Sequence, residues 1–111
     1  MSSMNIEMNA KSLAAFEASA EEASRLLTAM ANAKRLVVLC NLLEGEKSVG
    51  HLAEIVGLAV PALSQHLAKM RALDLVATRR EGQTIYYSLA SEEVGEVLKT
   101  LYGLYCAPRV D

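Results

Sequence analysis

The spacing of apolar side chains changes between residues 72 and 76, and this change limits the folds that are open to the chain. Before it, apolar residues recur every three or four positions, which is typical of amphipathic helices. Residues 76–89 alternate instead and are rich in β-branched and aromatic side chains, with a turn at Glu81 and Gly82, so they predict a two-stranded hairpin. Helical spacing returns after Ser91. One hairpin placed among helices predicts a mainly α fold of the α+β kind.

Five helices are predicted around this hairpin, in the order ααααββα. They cover residues 12–30, 32–44, 48–56, 60–72 and 91 to about 106. Asn32, Ser48 and Ser91 each precede a helix and can accept a hydrogen bond from a first-turn N–H. Gly57 is expected to end the third helix, and Pro61 fits the first turn of the fourth. We predict one domain over residues 11–107, preceded by a disordered tail over residues 1–10.

Size and composition narrow the class of protein. A chain of 111 residues has room for a single small domain, and its apolar fraction of 52% is high for a domain with so much surface. We therefore expect a second copy of the chain to cover part of that surface. No run approaches the roughly 18 apolar residues of a membrane helix, and the first ten residues lack the features of a signal peptide. We expect no membrane contact and a cytoplasmic location.

Two cysteines, Cys40 and Cys106, lie 66 positions apart. This spacing fits neither a disulfide-dense secreted scaffold nor a metal-binding C-x-x-C pair. The two thiols are either passive core residues or a sensor with two members. Because the two histidines are also widely dispersed, we predict no metal site and no cofactor. The chain also lacks a nucleophile-base arrangement, so we predict that it is not an enzyme.

Two short helices joined by a glycine turn and followed at once by a hairpin have the order of a winged helix-turn-helix. On a helical wheel of residues 60–72, Leu63, Leu67 and Met70 share one face, which we expect to be buried. The opposite face is short and polar, as a helix that enters the major groove of DNA must be. Gln65 on that face can offer a bidentate amide to adenine, and Ala62 can contact a thymine methyl group.

The hairpin adds positive charge beside this helix. Arg79 and Arg80 lie just before its turn, where a guanidinium can reach a phosphate or a narrow minor groove. Residues 60–90 hold four basic and two acidic side chains, whereas the whole chain has a net charge of -2. An ordinary solvated face is the alternative, but the succession of helix pair, glycine turn and basic hairpin favours binding to double-stranded DNA. The predicted DNA-contacting residues are Pro61, Ala62, Ser64, Gln65, His66, Lys69, Arg79, Arg80 and Gln83.

The segments ALSQHL at 62–67 and TRREGQTIYY at 78–87 together resemble the ArsR family of winged-helix repressors. The resemblance extends over about residues 20–106. Within the family, the placement of Cys40 in VVLCNL and Cys106 in LYGLYC is similar to the subgroup that includes BigR, SqrR and HlyU. The resemblance implies a homodimer that pairs through its first and last helices and represses transcription at operator DNA. It also implies that Cys40 and Cys106 sense persulfides and other reactive sulfur species.

The sequence departs from this family at the start of the fourth helix. Relatives often have Ser, Gln and Ser where this chain has Ala59, Val60 and Pro61, so a capping hydroxyl and one potential base contact are missing. We therefore expect an altered operator preference.

The interpretation is a repressor that leaves its operator when a disulfide or polysulfide links Cys40 to Cys106. The alternatives are a repressor with inert cysteines that responds to a metal, another ligand or nothing, a small thiol enzyme, and a protein-interaction module.

Overall fold

The computed structural model describes residues 10–106 of the chain. Its elements are α1 (Ala10–Met30), α2 (Ala33–Asn41), β1 (Lys47–Ser48), α3 (Val49–Val56), α4 (Val60–Ala72), β2 (Val76–Glu81), β3 (Thr84–Leu89) and α5 (Glu92–Tyr105). The five helices and the hairpin are those that the apolar spacing predicts. Ala10 already belongs to α1, and the rest of the predicted tail lies outside the described residues, as does residue 107.

Local side chains fix where the helices begin. Asn32 Oδ1 accepts a hydrogen bond from the N–H of Arg35 at 3.1 Å, and Ser48 Oγ accepts one from His51 at 3.2 Å. Ser91 Oγ accepts one from the N–H of Val94. Each bond satisfies a first-turn donor that has no partner inside its own helix, so the three predicted caps are confirmed.

The sheet differs from the prediction because it has three strands, in the order β1-β3-β2. Lys47 and Ser48 pair antiparallel with Tyr87 and Tyr86 of β3, on the side away from β2. A strand of two residues is too short to show an alternating pattern, so the sequence predicts only the two strands of the hairpin. Just before this strand, α2 ends at Asn41 and a 3₁₀ turn leads to Gly45, whose φ of 136° belongs to glycine.

The core lies among α2, α3, α4, α5 and the base of the hairpin. Its fully buried larger side chains are Val38, Leu39, Leu52, Leu63, Leu67, Met70, Leu75, Val94 and Leu98. α1 fully buries only Ala29 and Met30 at its C-terminal end, half-buried Leu26 packs against the core, and most of this 21-residue helix lies at the surface.

No single helix in the described part of the chain combines the length and apolar character needed to cross a membrane. α1 and the segment Ala33–Glu44 pass that test only as a pair, by length and composition, across a bend of 95°.

Candidate nucleic-acid interface and thiol cavity

The turn between α3 and α4 sets the position of α4. Gly57 adopts a left-handed φ of 68°, and its N–H donates to the carbonyl of Ala53 at 3.0 Å. The next N–H, of Leu58, donates to the same carbonyl at 3.2 Å. A residue with a Cβ would be strained at this φ, so glycine allows the chain to leave α3 sharply and start α4 three residues later.

One face of α4 is buried and the other meets solvent. Leu63, Leu67 and Met70 are 0% exposed, which confirms the predicted inward face. The outward residues predicted to contact DNA are Pro61, Ala62, Ser64, Gln65 and Lys69, and all five are exposed. His66 is half-buried at the flank of this face. Ala59 precedes α4 without a capping side-chain hydrogen bond, as expected from the missing hydroxyl.

The hairpin places its two arginines differently. Arg79 and Arg80 are neighbours in β2, so their side chains leave opposite faces of the sheet. Arg80 is exposed near the tip, and its Nε donates to the carbonyl of Gly82 at 3.2 Å. Gly82 has a φ of 62°, as the first central residue of a two-residue hairpin turn requires, and exposed Gln83 follows it.

Arg79, in contrast, uses all three nitrogens of its guanidinium in hydrogen bonds to other residues of the chain. Its Nη2 and Nε donate to the carboxylate of Glu46 at 2.6 Å and 3.1 Å, and its Nη1 donates to Glu81 at 2.7 Å. The guanidinium carbon lies 4.7 Å from the centroid of the Tyr86 ring. The hydrogen bonds from Arg79 hold the pKa of Glu46 below its usual value. Sequence reasoning missed Glu46, because it lies 33 positions from Arg79 and no local pattern connects the two.

The two cysteines are free thiols and line the same cavity. Cys40 in α2 is half-buried, and Cys106, which caps the C-terminus of α5, is exposed. The cavity has a volume of about 240 Å³ and an apolar lining completed by Leu36, Leu101, Tyr102 and Tyr105. Burial raises the pKa of the Cys40 thiol, and the nearby charge of Cys106 raises it further. Cys40 and Cys106 therefore line one apolar cavity between α2 and α5, and no bond links the two thiols.

A metal site finds no support in the described residues 10–106. They contain no group of three or more His, Cys, Asp or Glu side chains placed to hold a metal ion.

A long groove runs along α1, on the face that the rest of the chain leaves uncovered. It is lined by Phe16, Ser19, Ala20, Ala23, Ser24, Leu27 and Thr28. Phe16 is 49% exposed and Leu27 is 54% exposed, so large apolar side chains meet solvent here. Apolar surface of this kind, continuous along one helix face, is typical of a protein interface.

A helix pair with a glycine turn, an outward polar second helix and an adjoining hairpin define the winged-helix class of DNA-binding regulators. Residues 32–78 match the model of the bacterial regulatory protein family arsR. The chain belongs to the ArsR family, and its similarity to individual relatives supports the same conclusion.

Three relatives illustrate the similarity. Nodulation protein NolR of Rhizobium meliloti is 54% identical over 86 residues, which are 78% of this chain and 70% of NolR. The crystal structure of the transcriptional regulator HlyU from Vibrio vulnificus matches with a TM-score of 0.80 and 50% identity, over 85% of this chain and 98% of HlyU. The crystal structure of the transcriptional repressor BigR from Xylella fastidiosa matches with a TM-score of 0.78 and 35% identity, over 91% of this chain and all 100% of BigR.

These relatives confirm the predicted family and the winged-helix fold. The chain is a regulator of transcription, and the prediction that it is not an enzyme is confirmed because the relatives are regulators rather than catalysts.

Proposed function

We propose that this chain is a homodimeric repressor that binds operator DNA and releases it when Cys40 and Cys106 react with persulfides. The proposal depends on one observation above the others. Cys40 of α2 and Cys106 at the end of α5 line the same apolar cavity, although they lie 66 positions apart in the sequence. A covalent link between them would therefore join two helices that pack against each other in the core.

The DNA-binding part of the proposal is supported by the exposed face of α4. Gln65 and Ser64 offer amide and hydroxyl groups to base edges, and Lys69 offers a charge to phosphate. In the hairpin, Arg80 can offer a charge to phosphate and Gln83 can offer an amide group. We expect half-buried His66 to contact the DNA backbone. Because such a protein acts on the chromosome, we assign it to the bacterial cytoplasm.

The homodimer is supported by α1. A groove of about 540 Å³ along this helix exposes Phe16 and Leu27, and a second copy of the same helix offers a matching apolar face. A dimer would place two copies of α4 for the two halves of a palindromic operator, about 34 Å apart. We propose that α5, with Tyr102 46% exposed and Tyr105 80% exposed, completes this interface.

The sensing chemistry needs no oxidant beyond the persulfide itself. A thiolate attacks the outer sulfur of a small persulfide RSSH, which gives a protein persulfide and releases the thiol RSH. Attack by the second thiolate on the sulfur bound to the first cysteine gives a disulfide and releases H₂S. Alternatively, two protein persulfides condense to a trisulfide and H₂S. A plain disulfide needs Cα atoms within about 7 Å of each other. A trisulfide spans a longer distance because it contains an additional sulfur atom.

The raised pKa of Cys40 favours an order of events. Cys40 is half-buried and burial raises the pKa of its thiol, whereas Cys106 is exposed to dissolved reagents. We propose that Cys106 reacts first and that Cys40 closes the bridge. Closing it would draw the end of α5 onto α2 and shift the spacing of the two α4 helices.

The test is a binding titration with a duplex selected by the protein from a random library. Wild type, Cys40→Ser and Cys106→Ser are each titrated with and without glutathione persulfide. We expect wild type to lose affinity by about 5- to 150-fold, the usual range for allosteric coupling. Both serine variants should bind the duplex and resist release.

Mass spectrometry of the treated protein identifies the bridge. Peptides that contain Cys40 and Cys106 should be joined by two or more sulfur atoms, and dithiothreitol should restore both the free peptides and DNA binding. Release of wild type without any such bridge would favour a repressor with inert cysteines and a different inducer.

A further inference from the structure

Arg79 and Glu46 meet across the full width of the small sheet. Arg79 lies in β2, and Glu46 directly precedes β1, so the central strand β3 separates them. Two strand spacings amount to about 9.6 Å. The Arg79 and Glu46 side chains together span this distance beside Tyr86, which is paired with Arg79 on one side and with Ser48 on the other.

The contact between Arg79 and Glu46 is bidentate, and this pair of side chains is called the clamp below. Two nitrogens of Arg79 bind both carboxylate oxygens of Glu46, at 2.6 Å and 3.1 Å, which is the bidentate arrangement available to a planar guanidinium. The Tyr86 ring lies 4.7 Å from the guanidinium, within the range of a cation–π contact. β1 has only two paired residues, so this bridge is an additional contact between the start of β1 and the hairpin.

The clamp is connected to the helix pair through the chain itself. Glu46 leads into Lys47 and Ser48, and Ser48 caps α3, the first helix of the pair. Lys47 is held in turn, because its Nζ donates to the carbonyl of Asn41 at 2.7 Å. The position of the hairpin is thus tied to the start of α3 through a few short and well-bonded residues.

The charges around the two hairpin arginines point to different roles. Arg79 faces two carboxylates, Glu46 and Glu81, so this group of three side chains carries a net charge of -1. A phosphate approaching Arg79 would meet that negative charge and would have to displace Glu46. Arg80 has no ion pair within residues 10–106, and its guanidinium remains exposed.

We propose that Glu46 and Arg79 form a clamp that positions the hairpin relative to α3 and α4, and that Arg80 supplies the phosphate contact of the hairpin. The second part rests on the proposed binding to operator DNA, whereas the clamp itself exists in the free protein. Glu46 is then a positioning residue for DNA binding although it is negatively charged and contacts no DNA.

The closing experiment compares the salt dependence of binding among conservative variants. Arg79→Lys keeps the charge but loses the bidentate fork, so a clamp predicts an affinity about two- to five-fold lower, with an unchanged slope of log affinity against log salt. Arg80→Ala should lower that slope by about one, as the loss of one phosphate contact does, and Arg80→Lys should restore it. Binding by Arg79→Lys equal to wild type, together with a slope lowered by Arg79→Ala, would overturn the assignment.

Glu46→Gln separates positioning from simple electrostatics. Removal of a negative charge near DNA should raise affinity, and we expect this of the control Glu54→Gln, whose exposed carboxylate lies on α3. A clamp predicts the opposite for Glu46→Gln, namely a two- to five-fold loss that is absent when Arg79 is already lysine. A gain of affinity in Glu46→Gln would overturn the clamp.

Hydrogen exchange of the free protein tests the clamp without DNA. Glu46→Gln and Arg79→Lys should both accelerate exchange of the backbone amides that pair β1 with β3, whereas Glu54→Gln should not. Unchanged exchange in both variants would refute the clamp. Faster exchange together with failure of wild type to bind any duplex would instead refute the proposed function and leave the clamp intact.

Discussion

α4 and α1 are both amphipathic helices, but only α4 finds its apolar partner inside the chain. The 13 residues of α4 bury Leu63, Leu67 and Met70 completely. The 21 residues of α1 bury only two side chains at one end and leave Phe16 and Leu27 about half exposed. α4 therefore completes its apolar packing within the core that α2, α3, α5 and the hairpin share, whereas most of α1 leaves its apolar side chains outside that core. In the proposed homodimer a second copy covers them.

The largest expected effect concerns α1. Phe16→Glu places a charge in the α1 groove and should split the proposed dimer, which lowers operator affinity by at least about 100-fold because two linked half-sites become independent. Ala18→Glu, which adds the same charge outside the groove lining, is the matched control. Analytical ultracentrifugation and DNA titration measure the two effects. A dimeric Phe16→Glu protein would show that α1 does not form the interface.

Truncation of a leucine to alanine should lower the free energy of unfolding by different amounts in α4 and in α1. Leu63→Ala empties a fully buried site in α4 and should lower the free energy of unfolding by about 2–5 kcal/mol at any protein concentration. Leu27→Ala, at a site 54% exposed, should cost under about 0.5 kcal/mol in dilute protein. Its cost should grow with concentration if a second copy covers Leu27. Denaturant titrations at two concentrations measure both, and equal costs would contradict the contrast.

A smaller effect is expected on the outward face of α4. Gln65→Ala should lower affinity for the selected duplex by about 1–3 kcal/mol and leave affinity for random DNA nearly unchanged. Lys69→Ala should weaken binding to both duplexes alike, because a phosphate contact carries no sequence information. Both side chains are exposed, so thermal unfolding should not change. An unchanged ratio of selected to random affinity in Gln65→Ala would exclude a base contact.

The smallest effect concerns the two thiols of the free protein. Iodoacetamide should modify exposed Cys106 several-fold faster than Cys40 near pH 7, because only the thiolate reacts and burial raises the pKa of Cys40. Raising the pH should increase the Cys40 rate as more thiolate forms. Peptide mass spectrometry over a time course measures both rates, with urea-unfolded protein as the control in which the difference disappears. Faster modification of Cys40 would contradict the proposed order of reaction.

Much of the architecture could be predicted because its causes are local. Asn32, Ser48 and Ser91 begin helices through bonds to residues three positions away, and Gly57 ends one through its own φ. The inward face of α4 follows from the helical period alone. The role of each outward residue in DNA binding stays a prediction, because a contact with a base or phosphate depends on a partner that helical periodicity does not describe.

Other features depend on residues that are distant in the sequence. β1 has too few residues for a pattern and forms only because the β3 edge is available to pair with it. Glu46 and Arg79 meet because β1 and β2 flank the same strand, and Cys40 and Cys106 share a cavity because α5 packs on α2. Periodicity and capping thus specify the helices and the hairpin in the linear chain. Packing alone selects which distant side chains become neighbours, because that choice depends on how the elements fit together rather than on any one of them.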